Sequence, residues 1–123
     1  MSVELLAGRT VLIVEDDFYL ADDTQQILES AGAFVSGPVS SPQDALAAIL
    51  EEKRPDCALL DVNLGGGPSF ELAFALRARN IPFVFLTGYD AEIIPEEFAS
   101  TPCLQKPVEP AKLLAAVAAL RSI

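Results

Sequence analysis

Three stretches of this chain, "VLIV" at 11–14, "CALL" at 57–60 and "FVFL" at 83–86, are apolar without interruption. A strand with one wet face alternates apolar and polar residues. A run with no polar break has to be covered on both faces, which is the condition of a strand inside a parallel sheet with helices above and below. With shorter runs of the same kind added, the reading gives five strands, at 10–15, 33–39, 57–62, 82–87 and 102–105.

The segments between them carry helical spacing and helix punctuation. One helix is predicted at 18–30 with Gly32 as its stop, and a second at 42–53, where Ser41 caps and Pro42 sits in the first turn. A third is predicted at 70–79 behind a Ser69 cap. A last one at 110–121 has Leu113, Leu114, Val117 and Leu120 as one apolar stripe. The intervening "DAEIIPEEFAST" holds Pro95 in its middle, so its helix should be short, displaced or mobile. Strand and helix alternating in this way imply right-handed crossovers and an α/β doubly wound fold with helices on both faces.

Composition narrows the function. A chain of 123 residues, 51% hydrophobic and 21% charged, suits one domain spanning 1–123, and no apolar run reaches the ~20 residues of a membrane span. The opening "MSVELLAGRT" lacks the layout of a secretory signal, so a cytoplasmic location is expected. With no His, neither a His-based triad nor the usual zinc sites can be built, and a net charge of -10 argues against binding nucleic acid. Cys57 and Cys103 fall two strands apart, about 10 Å, too far for a disulfide, and both read as core residues. Phe83 and Phe85 read as core too.

In doubly wound sheets ligands gather beyond the carboxyl ends of the strands. At those ends this sequence places Glu15-Asp16-Asp17, Asp61, Thr87 and Lys106. Asp17 is explained as a helix cap, but Asp61 directly after "CALL" is costly unless it coordinates something. Mg²⁺ answers the clustered charge, since it takes one or two carboxylates, keeps waters and completes its shell with phosphate oxygens. Asp16 and Asp61 are then direct ligands, Glu15 acts through a water, and the Asn63 main-chain carbonyl offers another oxygen. A carboxylate beside Mg²⁺, with an ammonium at Lys106 and a hydroxyl at Thr87, is equipped to become an aspartyl phosphate.

In these motifs the chain resembles the response-regulator receiver domain of two-component signalling. The resemblance implies a flavodoxin-like fold with strand order 2-1-3-4-5. It makes Glu15 and Asp16 the acidic pair, Asp61 the phosphoacceptor, Thr87 the switch hydroxyl, and Lys106-Pro107 a Lys-Pro pair joined by a cis peptide. It further implies a histidine kinase as phosphodonor and a downstream protein or phosphotransfer partner, with a homodimer also open. The only catalysis expected is the domain's own phosphorylation and dephosphorylation.

Departures from the usual pattern narrow the group. "IPFVFLTGY" is similar to the Pro-Phe-x-Phe-Ala-Thr-Gly-Tyr motif of receivers often paired with HWE-class histidine kinases, with Leu86 in place of the motif's Ala. Cys103 stands where a switch aromatic is usual. The loop "NLGGGPS" carries three successive glycines, and Tyr89 either takes the position that in receivers flanks the path of attacking water or is a surface aromatic that docks a partner. The stretch after Lys106 suffices for one helix, so no attached output domain is expected. Rival readings are a receiver detached from a hybrid kinase, a phosphorylation-independent interaction module, and a haloacid-dehalogenase-type phosphatase. The last wants Asp where Asn63 stands.

Overall fold

The computed structural model of the chain describes residues 5–50, 54–62, 70–88 and 94–120. Their order is β1 (Thr10–Val14), α1 (Phe18–Ser30), β2 (Phe34–Val39), α2 (Pro42–Leu50), β3 (Cys57–Asp61), α3 (Phe70–Ala78), β4 (Phe83–Thr87), a 3-10 turn (Glu96–Phe98), β5 (Cys103–Gln105) and α4 (Pro110–Ala119). All four strand pairings are parallel, and the sheet runs β2-β1-β3-β4-β5. This is the doubly wound fold expected from the sequence, in the strand order that the resemblance implies. No helix among the described residues is long and apolar enough to cross a membrane.

The uninterrupted apolar runs are buried on both faces because alternate residues serve two cores. Leu12, Val14, Ala58, Leu60, Phe83 and Phe85 pack with Ala45 and Ile49 of α2 and with Leu72 and Leu76 of α3. Val11, Ile13, Cys57, Leu59, Val84 and Leu86 pack with Leu28 of α1 and with Leu113 and Val117 of α4. The helix boundaries follow their local signals. Asp17 Oδ1 accepts from Tyr19 N at 2.9 Å and Leu20 N at 3.1 Å, Ser41 Oγ accepts from Asp44 N at 3.1 Å, and Gly32 turns α1 off with φ 94°. The expected cap at Ser69 and the glycine-rich loop lie outside the described residues. At the other end of the fold, Arg9 Nη1 donates to the carbonyls of Val117 at 2.6 Å and Leu120 at 3.3 Å, closing the last turn of α4 against the start of β1.

Two findings were not expected. The register between β1 and β2 slips after Leu12↔Ser36 to Val14↔Val39, so β2 carries an extra residue around Gly37 and Pro38, whose peptide bond is cis. Gly37 has φ 86°, and a Cβ there would lie 2.7 Å from Val39 N and 3.1 Å from Ile13 O. Both the backbone angle and the space demand glycine. Gly37→Ala should therefore lose about 2 kcal/mol or more of stability, read as a lower denaturant midpoint at unchanged m-value.

The second finding corrects the assignment of Cys103 to the core. Cys57 is buried, but Cys103 is exposed. Cys103 is in register with Phe85 and so faces the α2–α3 side of the sheet. It lies on a three-residue edge strand, and the ring of Phe98, the one buried residue of the 3-10 turn, covers Phe83 and Phe85 on the neighbouring strand instead.

Candidate functional site

Backbone bonds hold the carboxyl ends of the strands in a row. Glu15 N donates to Val39 O at 3.0 Å, Val62 N to Leu86 O at 2.9 Å, and Lys106 N to Thr87 O at 2.7 Å. Consequently Glu15 and Asp16 after β1, Asp61 ending β3, Thr87 ending β4 and Lys106 after β5 share one edge. Glu15, Asp61 and Thr87 are buried, Lys106 is half-buried and Asp16 is exposed. The Lys106-Pro107 peptide bond is cis. Asn63 and Tyr89 lie outside the described residues.

Lys106 is the hinge of the electrostatics. Its Nζ lies 2.8 Å from Glu15 Oε2 and 3.1 Å from Asp61 Oδ2. The sequence suggested only a water-mediated metal contact for Glu15, yet Glu15 is the nearer partner of this ammonium. Glu15 Oε1 accepts from Asp17 N at 3.1 Å, which pins the turn that presents Asp16 to solvent. Two carboxylates share one cation here, leaving surplus negative charge in a desolvated place. Burial pushes Glu15 up from 4.5 to about 7; Lys106 opposes the shift, and the adjacent Asp61 adds to it. For Lys106, burial alone would lower the pKa, but its bonds to Glu15 and Asp61 outweigh that and raise it, so the ammonium stays charged.

This donor set fits a hard divalent cation. Carboxylate oxygens of Glu15, Asp16 and Asp61 all lie within 4.8 Å of one another. The set is all oxygen, and the exposed Asp16 leaves room for an ion that keeps part of its water shell. Glu15 Oε2 is buried and, ion pair aside, makes no aligned hydrogen bond among the described residues. It has capacity left for a water on such an ion.

A groove of about 330 Å³ leads from Glu15 and Lys106 between α1 and α4, walled by Leu20, Ile27, Leu86 and Leu113. Leu86, noted in the sequence only as a departure from a motif, is thus a wall between the core and the lysine. The apolar period of α1 and the larger residue at 86 were the available signals.

A family model described as "Response regulator receiver domain" matches residues 11–118. The chain is 30% identical over 110 residues to the phyllosphere-induced regulator PhyR of Methylorubrum extorquens, a match covering 87% of this chain and 41% of that protein. It is 32% identical to the DNA-binding response regulator MtrA of Mycobacterium tuberculosis, covering 89% of this chain and 49% of MtrA. It spans less than half the length of these two relatives. The solution structure of SdrG from Sphingomonas melonis superposes with a TM-score of 0.77 at 40% identity, covering 95% of this chain and 98% of that one. Sheet order, acidic strand ends and these matches agree: the chain belongs to the response-regulator receiver-domain family.

Proposed function

We propose that this receiver accepts a phosphoryl group from a histidine kinase onto Asp61, with Mg²⁺ bound, and signals through a conformational change that alters partner binding. The observation that carries the reading is the Lys106 ammonium bridging Glu15 and Asp61 beside the solvent-facing Asp16. A bound Mg²⁺ would supply charge neutralisation for the transferred group, held by Asp16, Asp61 and, through water, Glu15. The chain's own residues do the rest. An oxygen of the Asp61 carboxylate attacks phosphorus, forming the P–O bond as the P–N bond of the donor's phosphohistidine breaks and its imidazole leaves. Lys106, already 3.1 Å from Asp61, neutralises the oxygens added there. Thr87 donates its hydroxyl to one of them. No separate base is needed, because the nucleophile is an anion from the start.

The family membership supports a histidine kinase as donor, and the HWE class rests on the "IPFVFLTGY" motif alone. A beryllofluoride-activated conformation of SdrG, 39% identical with a TM-score of 0.76, supports a switch of the same kind here.

The test is incubation with Mg²⁺ and a small-molecule phosphodonor, followed by intact mass. One base-labile phosphate is expected, and none when the cation is chelated. No uptake, or uptake that ignores chelation, sinks the reading. Asp16→Asn should in addition weaken Mg²⁺ binding at least about tenfold, seen as loss of the rise in Tm that the cation gives the unmodified protein. Equal Tm responses would mean the cation sits elsewhere.

A further inference from the structure

We propose that Arg77 is a latch that holds the 3-10 turn Glu96–Phe98 in its resting arrangement and opposes activation at Asp61. The inference rests on the phosphoacceptor reading of that site. Phe83, Phe85 and Thr87 are alternate residues of β4 and share one face of the sheet. The Phe98 ring lies on this row, 5.9 Å from Phe83 and 5.6 Å from Phe85 between centroids, and 4.8 Å from Phe74 of α3. On its outer side the Arg77 guanidinium carbon sits 4.1 Å from the ring centroid. The same guanidinium donates from Nη2 to Glu97 O at 2.6 Å. One exposed side chain therefore closes the aromatic stack and ties the backbone of the 3-10 turn to α3.

Pro95 at the head of the turn makes no side-chain capping bond, and the turn is three residues long. On β5, in register with Phe85, stands the exposed Cys103. The ring that touches Thr87's row is Phe98, and its outer contact is a cation. If Thr87 moves toward a group on Asp61, the displacement runs through the row it shares with Phe83 and Phe85 to the Phe98 ring that Arg77 covers. A latch of this kind adds to the resting state the energy of a cation–π contact and a charge-assisted hydrogen bond, and a ligand at Asp61 has to overcome it.

The test compares unmodified protein, Arg77→Gln and Arg77→Lys by amide exchange and by titration with beryllofluoride in saturating Mg²⁺. In Arg77→Gln, exchange at the amides of Phe98, Ala99 and Thr101, which bond to Pro95, Glu96 and Phe98 carbonyls, should quicken about fivefold. The amides of β1 and β3 should keep their rates. The beryllofluoride concentration at half-saturation should fall about fivefold, with Arg77→Lys between the two because lysine keeps the charge and loses the planar fork. A merely structural arginine would loosen the turn and leave half-saturation where it was, and that result overturns the latch. A half-saturation that rises overturns it as well. Failure of the unmodified protein to bind beryllofluoride overturns the phosphoacceptor reading, and the latch with it.

Discussion

Asp61→Asn should take up no phosphate, a loss of more than about a hundredfold, while the fold survives. The substitution keeps the shape of the side chain and removes the anionic nucleophile, and the neutral amide oxygen cannot form a stable acyl phosphate. Stability should not fall, because Asp61 contributes to the crowding of negative charge that raises Glu15. Without it, Lys106 at 2.8 Å serves Glu15 alone, and the metal-free variant should melt no lower than the parent. Intact mass under the phosphodonor conditions gives the first outcome, and a thermal scan without Mg²⁺ gives the second. Residual stoichiometric phosphate on the variant would move the acceptor to another residue.

Lys106→Ala is expected to have the largest effect on stability. It leaves Glu15 and Asp61, whose side chains are 2% and 5% exposed, without their shared cation. Breaking a buried pair from one side costs roughly 3 kcal/mol. The cost should depend on pH in a stated direction. The folded-state pKa of Glu15 is raised from 4.5 to about 7, so between those values the folded protein binds more protons than the unfolded chain. Stability from this group is full below about 4.5 and is lost as pH rises through about 7. Removing Lys106 removes the interaction that holds Glu15 down, so the loss becomes larger and extends to higher pH. The variant should approach the parent in mild acid and fall furthest below it in mild base. Mg²⁺ should restore it and bind more tightly than in the parent, since the competing ammonium is gone. Denaturant melts across pH, with and without Mg²⁺, check this; a pH-independent deficit would mean that lost packing of the lysine stem is the cause. Its acyl phosphate should still form but no longer shift the amide resonances of α4.

Much of this architecture was legible because its signals are local. Strands buried on both faces need no alternation, and "VLIV", "CALL" and "FVFL" could hardly be read otherwise. Asp17, Ser41 and Gly32 marked helix ends by capping chemistry that depends on a few neighbours. That the candidate residues gather at one edge was legible for a topological reason: residues far apart in sequence become neighbours when each follows a parallel strand of known order. What stayed hidden depends on lengths and angles. No spacing tells that the Lys106 ammonium reaches Glu15 more closely than Asp61, or that Arg77 lies on the Phe98 ring. The exposure of Cys103 turned on the Phe98 ring covering Phe83 and Phe85 instead of the edge strand. The bulge in β2 did carry a signal, since a Gly-Pro pair inside an apparent strand points to an edge strand and an irregularity.

The contrast between the two thiols gives this protein a built-in attachment point. Burial pushes the Cys57 thiol up to about 11, so it stays protonated and sheltered, whereas Cys103 is open to solvent on the edge strand. A thiol-selective fluorophore or spin label would therefore mark one position without any prior cysteine engineering. That position is three residues before Lys106 and in register with Phe85, between the acidic edge and the aromatic stack. The edge strand beside the site can thus carry a chemical reporter.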